Sequence, residues 1–417
     1  MGDTPRRLAV DHSVEEALAP EERTTPTLGR LAGAFFKIGL TAYGMAILQE
    51  LKALMIGSGW LAREEVDEGL GMVQVYPGPI VYNLATYCAY RIRGIRGAVV
   101  ATTMFLIPSY LLMLGLSWLY FTYGDVGWVR PLFIALEAMV VGVVLHVLLD
   151  FGSRYLDGAR TATIAGVAFL FLLNGANAIA VVFGAIAAGI LLFHGQPTDP
   201  AGGSVDGWRI PGDGRTRGRA IALIGGVFVA VATASLISDT VSAAVLGSMF
   251  RIGAVAFGNG MTIMPLLQQA AVDTHHWVTP GDFATGIALG QITPGPFLIT
   301  ATFIGFAATG VWGSLLATIG IFFPSFFYTL LMTEFYGRIR SVPAIRHGLK
   351  GVLAGFTGML ALVVLNLGRV SLVSSAAYVW AVGAFVLVRW FELNLLWIFG
   401  LGAAAAGILY ALGFHIV

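Results

Sequence analysis

Runs of about 18 to 24 predominantly apolar residues recur along the 417-residue chain, and the short segments between them hold most of the charge. Each such run is long enough to cross a hydrocarbon core of about 30 Å. Inside lipid no water satisfies a free N–H or C=O, so a spanning segment must fold as a helix or join a closed barrel. A barrel needs strands of about ten residues that alternate in polarity between turns, and the sequence does not have that pattern. Composition agrees with helices in lipid: 11% of the residues are charged, against roughly 25% in soluble domains. The expected fold is therefore an all-α polytopic membrane protein.

The runs predict about thirteen spans, near 33–55, 70–90, 98–120, 133–149, 161–174, 177–194, 220–237, 247–271, 285–308, 313–334, 350–367, 372–389 and 394–413. They divide the chain into a polar tail (1–32), a first transmembrane block (33–194), a Gly-, Asp- and Arg-rich linker (195–219) and a second block (220–417) that opens with an unmatched span. The tail has no short apolar core with a cleavage site, so it is expected to be a cytoplasmic leader rather than a signal peptide. Cytoplasmic loops concentrate Lys and Arg. With the N-terminus inside, that side receives Arg91, Arg93, Arg96, Arg154, Arg160, Arg209, Arg215, Arg217, Arg219, Arg338, Arg340, Arg346, Lys350 and Arg389. The opposite side receives Arg63, Arg130 and Arg369, and the C-terminus ends there. The scheme fits poorly at "DTHHWVTPGD" (273–282), which it places inside without one Lys or Arg. A net charge of +1 makes no electrostatic case for nucleic acid, and the single cysteine, Cys88, allows no intrachain disulfide.

Two of the runs are interrupted in the same way, by "VQVYPGPIV" (73–81) and "GQITPGPFL" (290–298). Proline inside a helix removes a backbone hydrogen bond and clashes with the preceding turn. The repetition extends outward from these breaks. "FFKIGLTAYG" (35–44) overlays "MFRIGAVAFG" (249–258), Trp60 falls on Trp277, and Gln74 on Gln291. "GIRGAVVATTMFLIPSYLL" (94–112) meets "GVWGSLLATIGIFFPSFFY" (310–328), sharing a Gly-x-x-Gly and a Pro-Ser. The blocks are duplicates, and the odd span between them predicts that the second is inverted relative to the first. Inverted repeats with Gly/Pro-interrupted helices at matching positions point to a transport site at their interface. A packing kink with no ligand is the plainer reading of the same breaks.

These segments resemble the chromate ion transporter family in its long, two-domain form. The resemblance rests on "FFKIGLTAYG", "GWL" with acids after it, "YPGP", "GIRGAVVATTMFLIPSYLLML", "MFRIGAVAFGNG", "TPGP" and "FFPSF", and covers about residues 33–370. It implies movement of chromate across the inner membrane, with export and resistance as the usual role. Sulfate, tetrahedral and divalent like chromate, is the natural competitor. The family often has Phe-Gly-Gly where this chain has Tyr43-Gly44-Met45 and Phe257-Gly258-Asn259, so a shifted substrate preference is expected.

A divalent anion in low dielectric needs donors and positive charge, and half-helix N-termini supply both. Pro77-Gly78-Pro79 and Pro294-Gly295-Pro296 are accordingly expected to aim helix starts at the substrate, with Gly44 and Gly258 at the other repeated glycines. Lys37 and Arg251 occupy equivalent positions in apolar surroundings. Lys37 alone is explained equally well by snorkelling to headgroups, whereas an intramembrane Arg251 is a functional candidate by default. Asn259, Gln74, Gln291, Thr293 and Tyr76 could line the path or bond between helices. Glu137 and His146, nine residues apart, are candidates for proton coupling. Glu334 is expected to pair with Arg338, and Glu50 and Lys52 to sit at the outer interface. His275 and His276 beside Asp273 are weak as a metal site without further ligands.

Three activities compete. The favoured one is a secondary transporter, an antiporter exporting chromate by alternating access and driven by the proton motive force. The second is uptake or exchange of sulfate or another divalent oxyanion by the same fold. The third, an intramembrane enzyme, lacks an H-E-x-x-H or G-x-S-x-G motif. No Walker sequence is present, so no ATP chemistry or cofactor is implied. The expected partners are the oxyanion, protons and the bilayer, and a homodimer is compatible with the sequence.

Overall fold

A computed structural model describes residues 25–41, 46–124, 126, 130–196, 214–237, 240–257, 261–339 and 342–413. All regular structure among the described residues is helical. The helices are α1 Leu28–Thr41, α2 Ala46–Gly57, α3 Arg63–Val73, α4 Ile80–Tyr123, α5 Arg130–Tyr155, α6 Ala159–Leu173, α7 Ala178–Leu192 and α8 Gly214–Ile237. They continue with α9 Val241–Ala254, α10 Met264–Gln268 running into a π-helical turn Gln269–Thr274, α11 Pro280–Ile292, α12 Thr300–Ile339, α13 Pro343–Ser371, α14 Ser375–Arg389 and α15 Leu395–Ala411. Five stretches are long and apolar enough to cross a membrane: α4, α5, most of α8, α12 together with the short turn before it, and α13. The chain is a multi-pass helical membrane protein.

Four of the expected crossings fold as helical hairpins instead. Segment 70–90 is α3, a turn at Pro77-Gly78-Pro79, and the first limb of α4 running back beside α3. The partners leave no other direction: Gly69 lies against Tyr87, and Arg91 Nη2, farther from the turn, is 2.6 Å from Glu65 Oε1 near the start of α3. Each step away from the turn on one helix is matched by a step away on the other, as in an antiparallel pair. Segment 285–308 repeats this, with Gly290 facing Thr300 and Gly286 facing Phe303. Segment 33–55 is α1 folding back as α2: Thr41 reaches Glu50 at 3.5 Å near the tip, and the Arg30 guanidinium sits 5.8 Å from the Trp60 ring at the open end. Segment 247–271 brings His275 Nε2 back to within 3.2 Å of Ser248 Oγ on α9. An apolar run long enough to cross is also long enough to enter halfway and return, so hydropathy alone cannot separate the two.

At the tips, Gly78 and Gly295 adopt φ +133° and +103°, conformations open to glycine and strained for other residues. The following prolines then open the returning helix. Each long helix bends once more where the hairpin ends, at Arg93-Gly94 in α4 and Thr309-Gly310 in α12, with Gly94 at φ 61°, ψ −154° and Gly310 at φ 68°, ψ −148°. The first glycine of each repeated Gly-x-x-Gly is thus the point where a hairpin limb becomes a crossing helix.

The copies pack by exchange. α1 crosses the second limb of α4 with Gly39 on the Phe105 carbonyl, and α9 crosses α12 with Gly253 on the Ile321 carbonyl. α6 and α7 of the first copy lie on α13 of the second, while α14 and α15 lie on α5. The closest contacts there are copies of each other: Gly142 meets the Ala381 carbonyl, and Gly358 meets the Ala165 carbonyl. α4 and α12 run side by side through the middle, joined across Tyr82 and Phe322, whose rings are 5.0 Å apart.

Candidate functional site

The two Pro-Gly-Pro tips lie against the paired long helices, and each is held by the opposite copy. Ser109, which follows Pro108 within α4, donates from Oγ to the Pro294 carbonyl at 2.6 Å. Ser325, which follows Pro324 within α12, points at Gly78: a Cβ built there would fall 2.6 Å from its Oγ. One turn farther along, Tyr76 donates to Thr329 Oγ1 at 2.8 Å, and Thr293 lies 4.0 Å from Met113 Sδ. The Gly78 amide donates to the Ala256 carbonyl, at the end of α9. Three hairpin ends therefore gather beside the middle of the α4–α12 pair.

The helices that restart after the tips are uncapped by side chains at Pro79 and Pro296. Their first amides face the tips with the partial positive charge of a helix start. Pro79, Gly78, Pro294, Pro296 and Thr293 are buried, and Pro77 and Gly295 are partly so. Thr293 closes its own helix by donating to the Leu289 carbonyl at 2.8 Å.

The other expected site residues are not all drawn together. Lys37 and Arg251 occupy matching exposed positions on α1 and α9. Arg251 turns back onto its own helix, donating to the Gly247 carbonyl at 3.1 Å. Gln74 is exposed and Gln291 half-buried. Gly44, Gly258 and Asn259 lie outside the described residues. Glu137, on α5, accepts from Thr285 Oγ1 on α11 at 3.0 Å. Beside it Tyr120 donates to Asp282 Oδ1 at 2.6 Å, and Arg130 and Asp282 lie within electrostatic reach of Glu137. Thr285 is two turns of α11 from Thr293, about 12 Å, so Glu137 marks the open end of the second hairpin, not its tip. His146 is elsewhere on the same helix, within electrostatic reach of Asp150, Arg154 and Arg389.

Three further groups that stand out in the sequence have these partners, while the side chain of Arg338, expected beside Glu334, lies outside the described residues. Glu334 bonds to Arg217 of α8 at 2.9 Å and to the Tyr90 hydroxyl at 2.6 Å, because α8 and the first limb of α4 both pass its carboxylate. Lys52 pairs with Asp67 at 2.6 Å, and Glu50 accepts from Thr41, because α2 turns back beside α1 and α3. His275 stacks on Trp277 with ring centroids 4.4 Å apart, and among the described residues no three His, Cys, Asp or Glu side chains converge.

Sequence reasoning missed Asn83, Ser109, Ser325 and Thr329. The Pro-Ser pairs were legible as marks of duplication, and the polar Asn83 inside "PIVYNLATY" was the remaining signal.

Against known proteins, the chromate transporter family model matches over residues 29–190 and 243–408, one region on each copy. The chain belongs to the chromate transporter family. The chromate transport protein of Cupriavidus metallidurans is 28% identical over 366 residues, covering 84% of each chain. That of Pseudomonas aeruginosa is 29% identical over 383 residues, 86% of this chain and 87% of the relative. An uncharacterized transporter of Methanocaldococcus jannaschii is 28% identical over 349 residues. No solved structure matches. Membership makes the chain a membrane transporter, not an enzyme.

Proposed function

We propose that this transporter carries chromate, or a closely related divalent oxyanion, outward across the inner membrane, driven by the proton motive force through alternating access. One observation carries the reading: the two broken tips meet the same pair of helices, each against the Pro-Ser of the other copy. Two matched half-helix starts held at one place by reciprocal contacts suit an anion at a repeat interface, and each hairpin pair can rock against the crossing helices in turn.

Hairpins also improve the charge distribution. If the first pair enters from the cytoplasm, Arg63 joins Arg91, Arg93 and Arg96 on that side. After α4 to α7 and the single crossing of α8, the second pair enters from outside. Segment 273–282, which holds no Lys or Arg, then lies outside, where few basic residues belong. The two copies are inverted on this reading, with the N-terminus cytoplasmic and the C-terminus external.

For the coupling, we favour Glu137, because its carboxylate accepts from Thr285 of α11 and its protonation therefore reaches the second hairpin. The test is labelled chromate flux into everted vesicles, with and without an imposed pH gradient and with sulfate as competitor. Gradient-dependent uptake is expected. Uptake indifferent to the gradient removes proton drive, and sulfate uptake without chromate uptake reassigns the substrate.

A further inference from the structure

The two tips, alike in sequence, differ in what their polar groups do. At the second tip Ser109 is committed to the Pro294 carbonyl at 2.6 Å. Thr300, four residues after Pro296, is committed to the Phe297 carbonyl at 3.0 Å. At the first tip the corresponding groups are Ser325 and Asn83. Both residues have no exposed surface, and neither Ser325 Oγ nor either end of the Asn83 carboxamide has a hydrogen-bond partner. A Cβ on Gly78 would fall 2.5 Å from Asn83 Nδ2, 2.6 Å from Ser325 Oγ and 2.7 Å from Asn83 Oδ1, so both unpartnered residues face the tip, and the carboxamide can present its donor end there by an amide flip.

Buried polar groups are almost always hydrogen-bonded, and an orphan is costly enough to call for a reason. Two orphans from different copies, aimed at one glycine beside the uncapped start of α4, have a common one: a ligand that accepts hydrogen bonds. We propose that the oxyanion is held at the first tip alone, by Asn83 Nδ2, Ser325 Oγ and the opening amides of α4, while the second tip is its self-satisfied structural counterpart. The site rests on the oxyanion reading above and deepens it. All its donors are neutral, so the anion is bound by hydrogen bonds and the helix start without a fixed counter-charge, which leaves it free to depart when the tip swings. A ligand oxygen takes the place of the contacts that the two side chains now make with Gly78.

The test uses the full-length protein, measuring chromate flux in proteoliposomes and the rise in melting temperature on adding chromate. Ser325→Ala and Asn83→Leu are expected to raise the chromate KM roughly tenfold or more, the usual effect of losing a hydrogen bond to a charged group. Both should also lose the chromate-induced rise. Without chromate they should melt at or above the wild-type temperature, because an orphaned polar group has been removed. Ser109→Ala, which breaks an existing bond at the second tip, should melt lower, with a smaller rise in chromate KM than in the two site variants. If Asn83→Leu does not fold, Ser325→Ala decides. Wild-type KM and thermal rise in the site variants overturn the assignment and leave chromate transport standing. An equal KM rise in Ser109→Ala overturns the one-tip site. A wild-type protein with neither flux nor thermal rise removes the oxyanion reading, and this site with it.

Discussion

Glu65→Gln removes one charge from the buried pair that closes the first hairpin. The Arg91 and Glu65 side chains are 2% and 13% exposed, with Nη2 and Oε1 2.6 Å apart. Arg91 Nη1 also donates to the Tyr87 hydroxyl at 3.1 Å, and that hydroxyl donates to the Glu65 carbonyl at 3.0 Å. At an effective dielectric of about 20 the gross attraction is about 6 kcal/mol, largely offset by the cost of taking both charges out of water. Removing one partner strands the other, so each of Glu65→Gln and Arg91→Gln should destabilise by about 3–5 kcal/mol. The double variant should recover at least about 1.5 kcal/mol of the summed loss. The assay is equilibrium unfolding in mixed micelles, run as a double-mutant cycle. A straight helix would place residues 26 apart in sequence about 39 Å from each other, with no coupling. Additive losses, with coupling under about 0.5 kcal/mol as for distant sites, would refute the re-entrant hairpin.

Gly39→Ala and Gly253→Ala each drive a methyl into a helix carbonyl and should cost about 1–3 kcal/mol by overpacking. Gly33→Ala, with nothing within 4 Å, should not destabilise; the three melting temperatures in one detergent compare them. Arg217→Gln should loosen α8 by about 1 kcal/mol through its bond to Glu334, and added salt should shrink the difference from wild type. Lys350, 2.7 Å from Asp157 in the loop after α5, donates to its carboxylate and holds it below the usual range. Because folding lowers that value, the stabilisation is present above the ordinary carboxylate range and is lost as pH falls through the lowered one. Asp157→Asn should flatten this part of the acid limb of a melting-temperature profile. Glu137→Gln should leave chromate exchange at equal pH largely intact while abolishing its response to a pH gradient, and an undiminished response would clear Glu137 of coupling.

Much of the molecule could be read from the chain. The membrane class follows from apolar runs that only helices can carry through lipid. The duplication follows from the ordered matches around Lys37 and Arg251, Trp60 and Trp277, and the two Pro-Gly-Pro stretches. The tips were legible as breaks because glycine between prolines has few other uses in an apolar helix. Lys37 and Arg251 stood out for the same local reason, a charge among apolar residues, yet both side chains are exposed, and no pattern along one helix says which of its faces a distant segment will cover. His146 stood out with Glu137 as an ionisable group in one apolar span, and its charged neighbours, Asp150, Arg154 and Arg389, are seen only in the fold.

Hydropathy measures how much apolar chain is present, and together with the ordered residue matches it determined a helical, duplicated membrane protein. It carries no direction, so whether a chain leaving Pro79 continues forward or doubles back was decided by what it meets: Tyr87 against Gly69, and Arg91 against Glu65. The same holds at the tips. Ser109 and Ser325 are the same residue in the same motif, and only the packing of the opposite copy leaves one bonded to a carbonyl and the other facing Asn83 across Gly78.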